Sequence, residues 1–472
     1  MSGNDERYTD AGNARRLVAA SGHQLRYCGP WGTWLVWDGR RWQRDSRGQI
    51  FERAKAVAAA LFEDARQLVG DERKAAMRWA MLSESAGRIE AMVKLARSEP
   101  TIPVDPDELD ADPWVLNVAN GVIDLRTGRL LSHDPKRLIT KMADVAHDET
   151  AESPIWNAFL AQILPDADVR EFVRRWAGYC LTGDVTEHKI VFAFGAGANG
   201  KTTLLSALAH VLGDYARQAA PDLIMRRRDD PHPTGLADLH GARLVLASET
   251  AQGRHIDEAL VKRLTGGDRV SARHMHKDFF EFAPTHKIVV ATNHRPGIEG
   301  TDHGIWRRIR LVPFGVVIDD EDQDRQLEEK LRGEAPGILQ WALDGCSRWR
   351  LQGLTDPTAV LAATADYRAE MDVLGDFISD CCILVAGTTS KAGDLYGEYV
   401  RWAEATGERP LSQRKFGSSL RERGLTKRTS NGVWWDGIGL CTEPSTHDRP
   451  RERAGQQSFG GTAEPTEPGS DK

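Results

Sequence analysis

The feature that most constrains this chain is an eight-residue run, Gly195-Ala196-Gly197-Ala198-Asn199-Gly200-Lys201-Thr202, set between an apolar stretch and a helix-forming one. Before it stands Lys189-Ile190-Val191-Phe192-Ala193-Phe194, whose continuous apolar core suits a parallel strand buried on both faces. After it comes Thr203-Leu204-Leu205-Ser206-Ala207-Leu208, which reads as a helix. A strand, a glycine-rich loop ending in Gly-Lys-Thr and a helix together make a phosphate-binding loop. The glycines let backbone N–H groups converge on phosphate oxygens, and the helix N-terminus adds positive potential. Gly195, Ala196, Gly197, Ala198, Asn199, Gly200, Lys201, Thr202 and Thr203 are therefore the candidate nucleotide-binding segment. Within it Lys201 reaches the β and γ phosphates, and the Thr202 hydroxyl ligates Mg²⁺.

Hydrolysis of a bound nucleotide needs a carboxylate at the end of a neighbouring strand. Glu249 stands there, after Leu244-Val245-Leu246-Ala247-Ser248. It is the second candidate for the metal shell and the group that polarises the attacking water. A third run, Lys287-Ile288-Val289-Val290-Ala291-Thr292, ends in Asn293, whose amide can orient that water. A fourth is Ile309-Arg310-Leu311-Val312-Pro313. Strands alternating with helical segments predict an α/β core, a parallel sheet sandwiched between helices.

At 472 residues the chain exceeds the roughly 250 to 300 at which single cores stop growing, so several domains are expected. Six cysteines without a Cys-x-x-Cys pair argue against a zinc site and a disulfide framework. No apolar run approaches the roughly 20 residues that span a bilayer, and the polar N-terminus lacks the layout of a secretory signal. A cytoplasmic location without membrane contact is the expectation. The net charge of −7 gives no global basic field, so contact with nucleic acid must come from local basic surfaces.

The order of five markers resembles the superfamily 3 helicases of the phage and plasmid primase-helicase family, including the C-terminal region of poxvirus-type primase-helicases. These are the phosphate-binding loop, the strand ending in Glu249, Leu264-Thr265-Gly266-Gly267-Asp268, the strand ending in Asn293, and Gly304-Ile305-Trp306-Arg307-Arg308. The loop with its Asn199 is similar to the family's G-x-x-x-N-G-K-[ST]. The resemblance covers about residues 105 to 440. It implies an AAA+ fold assembled as a ring, commonly a hexamer, with ATP between subunits, and a replicative DNA helicase moving on single-stranded and forked DNA. It gives Arg307 or Arg308 the role of a trans-acting arginine finger, without choosing between them. Members often carry two acidic residues at the second motif; here Ser248 precedes Glu249.

Residues 270–282 read as a hairpin with a basic tip, and in related ring helicases the corresponding hairpin tracks single-stranded DNA. His276 and Lys277 are the candidates for phosphate contact. Near the end, helices over 395–404 and 412–421 and a hairpin turning at Asn431-Gly432 suggest a winged helix. From Arg401 to Arg428 the chain carries eight Lys or Arg and three Glu. Arg414, Lys415, Arg421, Lys427 and Arg428 are its candidate DNA-binding residues.

The expected organisation is an α+β N-terminal domain over 1–150, the ATPase over 151–345, a linker over 346–364, the winged helix over 365–442 and a disordered tail over 443–472. In the first of these, Trp31, Trp34, Trp37 and Trp42 flank an Asp38-Gly39 turn and fill the core of a small sheet, although base stacking is open to them. Asp105, Asp107, Asp110 and Asp112 imitate a primase pair but sit in a loop, so no primase site is expected here, and a separate primase or other replication proteins are the expected partners. An ATP-regulated initiator with little unwinding is the alternative reading. A phosphoryl-transferring kinase would need no hairpin, trans arginine or winged helix.

Overall fold

The computed structural model describes residues 8–220, 222–226, 233–248, 253–273, 279–300 and 303–441, and they fall into two compact units that part between Met371 and Asp372. The first unit opens with α1 (Asp10–Ser21), capped by the Thr9 hydroxyl on Gly12 N, and an antiparallel meander. Its strands are β1 (Leu25–Cys28), β2 (Thr33–Trp37) and β3 (Trp42–Arg44). Trp37 pairs with Trp42 across a turn in which the Asp38 carboxylate accepts from the amides of Arg40 and Arg41. Gly39 supplies the positive φ of 99° that the turn requires. Trp34 and Trp42 are buried, as a packed sheet demands, while Trp31 and Trp37 stay partly exposed. Next in the chain are helices α2 (Gln49–Arg66), α3 (Gly70–Ser83) and α4 (Ala86–Ala96), and α1, α2 and α4 close the core around Trp34 and Val36.

A second meander, β4 (Val115–Val118), β5 (Gly121–Asp124) and β6 (Arg129–Leu131), leads into α5 (Pro154–Ile163) and α6 (Ala167–Cys180). Leu116, Val118 and Ile123 of that meander share one core with α5, α6 and the large sheet, so the boundary expected at residue 150 does not separate two cores. Two of the carboxylates that imitate a primase pair are structural: Asp110 accepts from Thr140 N at 2.7 Å, and Asp112 from Trp114 N at 2.9 Å.

The large sheet comprises β7 (Ile190–Phe194), β8 (Ala216–Gln218), β9 (Leu244–Ala247), β12 (Lys287–Thr292) and β13 (Ile309–Pro313). All its pairings are parallel, in the order β13-β7-β12-β9-β8. Alternate residues serve opposite faces. Val191, Ala193, Leu246, Val289 and Val312 face the core of α5, α6, α7 (Lys201–Leu212) and α12 (Ala335–Gln352). Ile190, Phe192, Val245, Val290 and Leu311 face the other, with α9 (Glu258–Gly266) and Tyr367 of α13 (Thr358–Glu370). Both faces being covered explains why these strands are apolar throughout. The short α8 (Pro233–Ala237), α10 (His303–Trp306) and α11 (Leu327–Gly333) complete the connections, and β10 (Val270–Ala272) pairs antiparallel with β11 (Phe280–Phe282).

Helices α6 and α12 cross backbone to backbone. A Cβ on Gly178 would lie 2.0 Å from Cys346 N, and one on Gly345 would lie 2.1 Å from Arg174 O. Residues 346–364, read as a linker, are the end of α12 and the start of α13, and α13 packs on β13.

The second unit contains α14 (Val373–Cys381), β14 (Cys382–Ile383), β15 (Thr389–Lys391), α15 (Ala392–Thr406), α16 (Gln413–Glu422), β16 (Thr426–Thr429), β17 (Val433–Asp436) and β18 (Gly439–Leu440). Its core gathers Phe377, Tyr399, Phe416, Leu420 and Trp435. The two helices and the β16-β17 hairpin, turning at Asn431 and Gly432 with positive φ, match the pattern read in the sequence. The tail from residue 442 lies outside the described residues. Among those described, no helix is long and apolar enough to cross a membrane.

Candidate nucleotide site

Parallel strands deliver all their C-terminal ends to one edge, and in open α/β sheets that edge is where ligands bind. Here it gathers the loop after β7, Ser248 after β9 and Asn293 after β12. Since β12 lies between β7 and β9, Asn293 falls beside the loop, and its Oδ1 accepts from Lys201 Nζ at 3.1 Å. The Lys201 ammonium is 6% exposed and donates also to Gly195 O at 2.8 Å, Ala196 O at 3.0 Å and Asn199 Oδ1 at 2.9 Å. Oxygen atoms thus surround a cation at the N-terminus of α7, where the first helical amides lack intrahelical acceptors.

The loop's shape is dictated by its residues. Gly200 takes the left-handed conformation at φ 76°, and a Cβ there would come 2.6 Å from Ile163. A Cβ on Gly195 would strike Phe314 O at 2.2 Å, whereas one on Gly197 would meet nothing within 4 Å. Two of the three glycines are therefore demanded by packing, and the third faces open space. Asn199 Nδ2 donates to Ala196 O and, at 3.3 Å, to Phe314 O, while Ile318 N donates to Ala198 O at 2.8 Å. The segment after β13 therefore holds the loop open, a role with no signal in the sequence beyond the asparagine itself. Thr202 is exposed at the start of α7 and Thr203 half-buried. An exposed hydroxyl oxygen beside a helix N-terminus is the hard donor that Mg²⁺ takes, so Thr202 fits that ion.

Of the other sequence candidates, Glu249, His276 and Lys277 lie outside the described residues. Arg307 and Arg308 sit at the start of β13, the opposite edge of the sheet from Lys201, and are not brought to it within one chain. Arg308 is buried, donating from Nε to Thr265 Oγ1 at 3.0 Å and from Nη1 to Gly304 O at 3.1 Å. The Leu264-to-Asp268 marker is therefore, in part, the dock that receives Arg308. Arg307 is exposed. In the second unit Arg414, Arg421, Lys427 and Arg428 are exposed and Lys415 is half-buried; Arg428 pairs with Asp436 at 3.4 Å.

Three family models match the chain. One is described as D5 N terminal like, over residues 14–165; one as a family of unknown function, over 193–308; and one as Poxvirus D5 protein-like, over 369–431. A protein of Acanthamoeba polyphaga mimivirus, provisionally named a helicase, is 29% identical over 340 residues, 66% of this chain and 35% of the relative. One of African swine fever virus, provisionally named a primase, is 28% identical over 329 residues, 63% of this chain and 34% of the relative. Together these matches support a primase-helicase family for the chain. It spans about a third of the length of these viral relatives. The apo C-terminal region of NrS-1 superposes with a TM-score of 0.47 at 10% identity, covering 92% of this chain and 100% of that one.

Proposed function

We propose that this chain is the ATP-hydrolysing motor of a replicative DNA helicase, an AAA+ enzyme of superfamily 3 that moves along single-stranded DNA as a ring, commonly a hexamer. The observation that carries the reading is the bond from Lys201 to Asn293, which joins the phosphate-binding loop to a strand inserted between it and the strand of Glu249. The helicase and primase names of the viral relatives agree with it.

The residues then divide the work. The amides from Gly197 to Thr203 cradle the β and γ phosphates, and Lys201 exchanges its carbonyl acceptors for phosphate oxygens. Thr202 and Glu249 would hold Mg²⁺, which when bound neutralises charge on the phosphates. Glu249 polarises the attacking water, and Asn293 orients it from the strand end. Arg307, exposed at the far edge, is the finger offered to a neighbouring subunit, since Arg308 is engaged within its own chain. His276 and Lys277, between β10 and β11, contact the translocating strand. The second unit acts as a winged helix, with Arg414, Lys415 and Arg421 on α16 and Lys427 and Arg428 on the wing facing phosphates.

A strand-displacement assay on forked DNA with ATP and Mg²⁺ tests this. Lys201→Ala and Glu249→Gln are each expected to abolish hydrolysis and unwinding, only the first greatly weakening nucleotide binding. Lys277→Ala should leave hydrolysis in place and stop strand displacement. Normal hydrolysis by the Glu249→Gln protein would end the assignment.

A further inference from the structure

A second cavity, of about 410 Å³, opens beside β8 at the other end of α7. Helix α7 has 12 residues, so Asp214 on this cavity's wall stands about 18 Å along the axis from Lys201. The volume falls in the range of roughly 300 to 1,000 Å³ usual for small-ligand sites. Four cations line it, Arg41, Arg44, Lys141 and Arg217, against two carboxylates, Asp214 and Asp238. Asp214 is already engaged, by Arg41 and by Met142 N at 3.1 Å. Arg44, Lys141 and Arg217 have no carboxylate partner among the described residues. Room for Lys141 is kept by Gly241, where a Cβ would lie 3.1 Å from Lys141 Cε. Burial, and then the nearby Arg217, Arg44 and Arg41, hold the Lys141 ammonium below its ordinary value against the opposing pull of Asp110. Such a cluster gains from any anion that enters. Aromatic surface adjoins it: Trp31 carries the Arg44 guanidinium on its face at 5.0 Å, and Phe280 also lines the cavity.

Cations that outnumber the carboxylates, next to flat rings, match a ligand with phosphates at one end and a planar base at the other. We propose that this cavity is a second nucleotide site, separate from the phosphate-binding loop. Arg44, Lys141 and Arg217 take the phosphate groups, and Trp31 stacks the base. The nucleotide is either free or one residue of a single strand, which present the same chemistry. The proposal does not depend on the ATPase reading.

The test uses the full chain carrying Lys201→Ala, so that the phosphate-binding loop is silenced, titrated calorimetrically with ADP and with 5′-phosphorylated tetrathymidylate. Saturable binding is expected, weakened tenfold or more by Arg44→Glu and by Lys141→Met. Arg44 is exposed, so its substitution leaves the core intact even where Lys141→Met disturbs folding. Saturation by ADP identifies a free nucleotide; saturation by the tetramer alone identifies a nucleotide within a strand. No binding of either probe up to millimolar concentration, or binding that Arg44→Glu leaves unchanged, overturns the proposal.

Discussion

Two buried lysines occupy opposite ends of the same sheet. Lys201 and Lys287 are 6% and 2% exposed, and each ammonium group donates to carbonyl or amide oxygens among the described residues. Lys287 donates to Thr182 O, to Thr285 O at 3.1 Å and to Asp184 O at 3.2 Å, and lies 4.8 Å from the Tyr179 ring centre. Around it the chain is closed, with His286 and Cys180 fully buried. Around Lys201 the chain is open, with Asn293 and Thr202 exposed. Carbonyl oxygens can thus fasten a lysine side chain inside the fold or hold a cation in readiness for stronger acceptors. Solvent access to the neighbours decides which.

Substituting each lysine in turn separates the two roles. Lys201→Ala should lower ATP hydrolysis by about 100-fold or more, as losses of preorganised charge do, while barely moving the urea midpoint. Lys287→Ala should do the reverse: about 3 kcal/mol of stability lost, because three buried carbonyls and a cavity are left behind, with the rate per folded molecule retained. Comparable rate losses in both variants would erase the distinction.

A pH series sharpens it. Burial lowers Lys287 from an ordinary 10.5 to about 7, and lowers His286, neither of whose ring nitrogens has a hydrogen-bond partner among the described residues, from 6.5 to about 3. The unfolded chain therefore binds more protons than the folded one between about 3 and 6.5 through His286, and between about 7 and 10.5 through Lys287. Stability should rise with pH across both windows, each group contributing at most about 1.4 kcal/mol per unit. His286→Leu should flatten the acid window and Lys287→Met the alkaline one; an unaltered profile in either variant would contradict the burial argument. The smallest effect belongs to Asn199→Ala, which removes the tie from the loop to Phe314 O. It should cost about 1 to 2 kcal/mol and weaken ATP binding about tenfold, read by calorimetry.

The strands of the sheet were legible because covering both faces forces unbroken apolar runs, and the loop after β7 because its conformation admits few residues. The helix-helix-hairpin order of the second unit was legible for the same local reasons. Strand β8 was not: Ala216-Arg217-Gln218 is a three-residue edge with only Ala216 buried, and it offers no periodicity. Nor was the helical character of residues 346–364. The fate of Arg308 depends on Thr265, 43 positions away, and no local pattern distinguishes it from Arg307. The second cavity draws its cations from residues 41–44, 141 and 217, and that meeting exists only after folding.

The joint between β11 and β12 has a mechanical consequence. Only residues 283–286 separate Phe282 from Lys287. Thr285 Oγ1 is fastened to Ala242 O at 2.7 Å, and Lys287 N to Arg243 O at 2.8 Å. That leaves the joint little slack. Pinned at both fastenings, the four-residue joint fixes Phe282 of β11 close to the start of β12, so β11 takes its place from the sheet.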